Sequence, residues 1–128
     1  MPFNLESIAP YLGATGQALL DLDEGKDGAD DFAGALLVYA AEVIVSILED
    51  SDLPKFPAAL NAGTSDKIRG AFRATLIVAN SLLTIARFQT HGDAAKALRY
   101  VSLAISMLLA NKPVPAGLGA MIGLDHPL

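Results

Sequence analysis

Between Ala29 and Asp50 the chain carries a pattern that only a helix enclosed on most sides can satisfy. Phe32, Leu36, Leu37, Val43, Ile44, Ile47 and Leu48 cover most of the circumference at helical spacing, whereas Asp31, Glu42, Ser46 and Glu49 share one narrow stripe. Such a helix must be surrounded, so the rest of the chain has to supply apolar faces. Three further segments do so. The first, from about Asn4 to Glu24, places Leu5, Ile8, Leu12, Leu19 and Leu22 near one face; Pro10 removes a backbone donor inside it and is expected to bend or split the helix. A third helix, capped by Thr64 or Ser65, runs to about Gln89, with Leu76, Ile77, Leu82, Leu83 and Ile85 as its apolar surface. The turn residues His91, Gly92 and Asp93 then lead into a fourth, from about Ala94 to Asn111. Pro54, Pro57 and Gly63 make residues 51–64 a connector holding one short helical turn around Ala58 to Asn61. No segment alternates with period two. The expected class is all-α, either a four-helix bundle or two packed helical hairpins.

A shift of 61 residues sets Ala33, Leu37, Tyr39, Ile44, Leu48 and Pro54 on Ala94, Leu98, Tyr100, Ile105, Leu109 and Pro115. A nearby shift sets Leu19, Leu20 and Leu22 on Leu82, Leu83 and Ile85. These registers suggest a duplicated hairpin, although helical patterning alone produces part of the match.

Hydrophobic residues make up 52% of the 128 positions and charged residues 18%. The apolar share exceeds that of an ordinary soluble domain, about 45–50%, so much of it must be buried. Residues 1–112 read as one helical domain. Residues 113–128 read as a separate docking tail, because Pro113 and Pro115 stop the helix while Val114, Leu118, Met121, Ile122 and Leu124 keep the segment apolar. Such a tail is expected to cover its own helices or to be exchanged with a second copy.

Charge is divided along the chain. Residues 1–64 hold eleven carboxylates against Lys26 and Lys55, a net −9; residues 65–128 hold seven bases against Asp66, Asp93 and Asp125, a net +4. A dipolar chain pairs its halves internally or meets a copy of itself head to tail. Arg69, Arg73 and Arg87, on the polar stripe of the third helix, are the candidate basic contacts. The overall charge of −5 and the absence of aromatic residues among the bases argue against nucleic acid. No base precedes Lys26, and Pro10, Gly13 and Gly16 interrupt the first stretch, which does not fit a secretory signal; a cytoplasmic protein, or one assembled from the cytoplasm, is expected. Glu42, Ser46 and the polar residues Thr75, Asn80, Ser81 and Thr84 interrupt the two longest apolar stretches, against a membrane span.

Chemistry-bearing patterns are missing. There is no cysteine, and His91 and His126 have no acidic residue at helical spacing, so neither a thiolate nor a zinc site is expected. Gly117, Gly119 and Gly123 lack the spacing of a dinucleotide loop, and residues 63–67 fit an ordinary helix start better than an anion site. Asp21, Asp23, Glu24, Asp27, Asp30 and Asp31 do not meet the calcium-loop pattern and read as a solvated acidic face. Glu42, set deep in the apolar helix, is the candidate buried ion-pair residue, with Arg69, Arg73 or Arg87 as partner. The expectation is a non-enzymatic, cofactor-free interaction protein, a subunit of a homo-oligomer or of a larger assembly such as a viral particle. The alternatives are a helical adaptor for another protein and a small membrane-associated protein.

Overall fold

The computed structural model describes residues 4–22 and 28–121, and helices account for most of them, with no strand. In chain order these are α1 (Leu5–Leu20), α2 (Gly28–Leu48), α3 (Ala58–Asn61), a 3-10 turn (Gly70–Phe72), α4 (Arg73–Phe88), α5 (Gly92–Leu109) and α6 (Leu118–Met121). The all-α class and the short turn at Ala58–Asn61 are as expected.

Helix α1 opens on a capping box. The Asn4 side chain accepts from the Ser7 N–H at 2.9 Å, and the Ser7 hydroxyl accepts from the Asn4 N–H at 3.2 Å. Of the bend or split expected at Pro10, the split does not occur, and the helix runs through it. The proline lies in the second turn on the exposed face, so the carbonyl its ring leaves without a donor, that of Glu6, sits where water can serve it.

Helices α1 and α2 pack antiparallel at very close range, because two glycines meet at their crossing. A Cβ on Gly16 would stand 2.7 Å from the Gly34 carbonyl oxygen, and one on Gly34 would stand 2.8 Å from that of Gly16. Helices α4 and α5 are also antiparallel, but a polar clasp joins them: Ser102 Oγ donates to Asn80 Oδ1 at 2.7 Å, and Asn80 Nδ2 donates to Ser106 Oγ at 3.2 Å. Arg73 donates to the Leu109 carbonyl, placing a cation at the C-terminus of α5, where the helix dipole favours it. Contact between α2 and α5 joins the two pairs around one core containing Leu36, Leu37, Ile44, Leu98, Tyr100 and Ile105.

α2 and α5 end in the same way, 61 residues apart. Asp50 (φ 53°) and Asn111 (φ 60°) take the left-handed conformation, and the next N–H reaches back to the carbonyl five residues earlier, Ser51 to Ser46 and Lys112 to Met107. Phe56, from the connector after α2, then stands edge-on between Tyr39 and Tyr100, with ring centroids 5.6 and 5.0 Å away.

α4 begins nine residues later than Thr64, where a cap was expected. Thr64 exchanges both backbone hydrogen bonds with Val114 (2.9 and 2.8 Å), while its hydroxyl accepts from Asp66 N–H in a local turn. That bridge requires Gly63, whose φ of 70° and 2.3 Å clearance between an added Cβ and the Val114 carbonyl leave no room for a side chain. Tail residues Val114 and Leu118 are buried, Gly117 N–H donates to the Asn61 carbonyl, and Gly119 lies directly beneath the Phe56 ring. Up to Met121 the tail therefore packs on its own chain.

Candidate interaction surfaces

Glu42 is not the buried ion-pair residue expected from the sequence. It is exposed, and none of Arg69, Arg73 or Arg87 pairs with it. The buried carboxylate with an arginine partner is instead Asp30, paired with the partly exposed Arg69. Arg69 Nε and Nη2 donate to Asp30 Oδ2 at 2.7 and 2.5 Å, and its guanidinium stacks 5.2 Å over Phe72. Asp30, expected within a solvated acidic face, is 2% exposed because the segment before α4 folds over the start of α2. The other acidic positions Asp23, Glu24 and Asp27 lie outside the described residues, as do Ile122 and Leu124 of the tail.

Between α1, α2 and the start of the connector a groove of about 550 Å³ opens. Ala9, Gly13 and Ala41 contribute to its apolar floor, small residues that leave it hollow. Glu6, Glu42, Glu49 and Asp52 stand around it, with no Lys or Arg in the lining. Exposed Val45 and Leu48 extend the apolar surface along α2. A second hollow, about 620 Å³ between α2 and the α3 region, is more polar and includes Asp31, Thr64 and Asp66.

The opposite half of the molecule presents a ridge. α4 buries Leu76, Ala79, Leu83 and Ala86, and its outer face carries large apolar residues on either side of the polar Ser81 and Thr84. Ile77 and Val78 are 53% and 47% exposed, and Phe88 reaches 77%. Arg87 places its guanidinium 5.5 Å over the Phe88 ring. No carboxylate occurs on α4, and Arg73 and Arg87 mark its two ends. By length and composition α2 and the Gly70–Phe88 segment could each cross a membrane; 61% of the α2 window is buried against only 28% of the α4 window.

Burial also acts on the two core tyrosines. It pushes the Tyr39 hydroxyl up to about 12, with the nearby Glu42 charge adding to the effect, and raises Tyr100 further, with Tyr39 contributing. Tyr100 donates to the Leu60 carbonyl at 3.4 Å, a structural role. Among the described residues no group of acidic or histidine side chains has the arrangement of a metal site.

Of the sequence-predicted contacts, the structure thus places Arg87 at the exposed ridge, commits Arg69 and Arg73 to internal partners, and buries Val114 and Leu118. The ridge and the groove were not anticipated. Spacing places Ile77 with Leu76 on the apolar surface, and only the packed structure shows that Ile77 faces outward. No protein-family model, curated protein or solved structure matches this chain.

Proposed function

We propose that this protein is a non-enzymatic assembly subunit that works by packing against further copies of itself, alone or within a larger particle. The observation that carries the reading is the α4 ridge. Ile77 and Val78 stand exposed side by side and Phe88 about three turns further along, with exposed Ser81 and Thr84 between them, and α4 carries more large apolar side chains in solvent than any other described helix. The charge division supports it, because the ridge belongs to the basic half and the apolar groove to the acidic half. We further propose that the two helix pairs form a bundle derived from a duplicated hairpin; the matching ends of α2 and α5 support this.

The apolar length of the Gly70–Phe88 segment favours a second reading, a membrane-associated helix. Sedimentation of the full chain over a range of concentrations, with and without anionic phosphatidylserine-containing vesicles, separates the two. Association in the absence of lipid, rising with concentration, supports the assembly subunit. A monomer that floats with vesicles supports the membrane reading, and a monomer indifferent to both leaves a foreign protein as the partner of the ridge.

A further inference from the structure

We infer that the assembly is head to tail, with the α4 ridge of one copy seated in the α1/α2 groove of the next. The inference rests on the assembly reading and adds its geometry. Three features of the two surfaces carry it. The first is shape: Phe88, the most exposed of the large apolar side chains described, projects from the end of α4, while the groove is floored by Ala9, Gly13 and Ala41, which leave a hollow rather than a surface. The second is charge. Arg87 travels with Phe88 on the ridge, and Glu42, Glu49 and Glu6 surround the hollow, so an aromatic ring entering the floor brings a guanidinium to the carboxylates. The third is the self-repulsion of each surface. Two ridges face to face would oppose arginines, and two grooves would oppose glutamates, so the symmetric dimers are disfavoured by the same charges that favour the mixed contact.

Ridge and groove lie on different helix pairs of one chain, so each copy offers one donor and one acceptor surface. A contact between unlike surfaces closes into a ring or continues as a filament, according to the rotation it imposes.

Two variants test the geometry. Phe88→Asp disables the ridge, and the double change Glu42→Arg with Glu49→Arg disables the groove; all three positions are exposed, and unchanged helical circular dichroism verifies the fold of each. Wild type is expected to assemble, each variant alone to run as a single chain of 13.3 kDa, and an equimolar mixture to form a two-chain complex that grows no further. In that complex the intact ridge of the groove variant fills the intact groove of the ridge variant, and both remaining surfaces are dead. A groove variant that assembles like wild type, or a mixture that stays single-chain, overturns the head-to-tail geometry while leaving self-assembly standing. A wild type that is single-chain at every concentration overturns both.

Discussion

The two helix pairs are built on opposite solutions to the same packing problem. α1 and α2 approach until backbone meets backbone at Gly16 and Gly34, whereas α4 and α5 are joined by Asn80 reaching Ser102 and Ser106. The difference has consequences on the outside. Further along the same two helices the small residues Ala9, Gly13 and Ala41 floor the acidic groove. The α4–α5 pair gains specificity from its polar clasp, and the apolar residues left over on α4 stand in solvent. One pair yields a socket and the other a ridge.

The comparison is broken most severely at the glycine crossing. Gly34→Ala should cost about 3 kcal/mol, because its Cβ would lie within 3 Å of the Gly16 carbonyl and of Leu20 Cγ, and close-packed backbone cannot yield. Gly13→Ala sharpens the point: three residues away on the same face its Cβ meets only Ala41 at 3.5 Å, so urea unfolding should show this variant unchanged or stabilised by up to about 1 kcal/mol. Equal losses in the two variants would remove the glycine crossing from the account.

The clasp is the next largest. Asn80→Ala leaves buried Ser102 without its acceptor and should cost about 1–2 kcal/mol in the same assay. No measurable loss would mean that α4 and α5 are held by apolar packing alone, as α1 and α2 are.

Tyr39 and Tyr100 bear on both pairs at once, one on α2 and the other on α5. Tyr100→Phe should cost at most about 1 kcal/mol at neutral pH, since its hydrogen bond is long. In alkali the tyrosines matter more. An unfolded tyrosine ionises near pH 10, whereas burial holds the folded Tyr39 proton to about 12 and the Tyr100 proton higher. Their contribution is therefore complete below pH 10 and is lost as pH rises through the folded values. Unfolding followed from pH 9 to 12 should show this decline in wild type and a shallower one in Tyr39→Phe.

Smallest is the effect at the matching helix ends. Asp50→Gly and Asn111→Gly should each stabilise by about 0.5 kcal/mol, the relief of a left-handed backbone being partly offset by the freer unfolded chain. Clearly unequal gains would weaken the likeness of the two ends.

How far the sequence could be read follows from the range of the forces involved. Spacing identified four long helices, and prolines around Ala58 isolated the short turn, because both signals are local. Pro10 does not end its helix, and whether water reaches the carbonyl it strands is a matter of which face it occupies in the packed molecule. Thr64 resembled a cap, but its backbone is claimed by Val114, fifty residues away. Glu42 and Asp30 were assigned in reverse for the same reason: an apolar neighbourhood in sequence does not enclose Glu42, and the arginine that buries Asp30 comes from 39 residues further on. Gly16 and Gly34 carry no spacing signal of their own, and their role shows only where the helices cross. The ridge on α4 lay in plain view as Ile77, Val78 and Phe88, but only the packed structure tells an inner apolar face from an outer one.

The most direct test of the central claim is absolute mass by light scattering, for wild type and Phe88→Asp, at low and high salt. The account predicts a wild-type mass above 13.3 kDa at low salt, reduced as salt screens the arginine–carboxylate contacts, and a single-chain mass for Phe88→Asp throughout. A wild type at the single-chain mass under every condition, or a Phe88→Asp variant that assembles as wild type does, would contradict it.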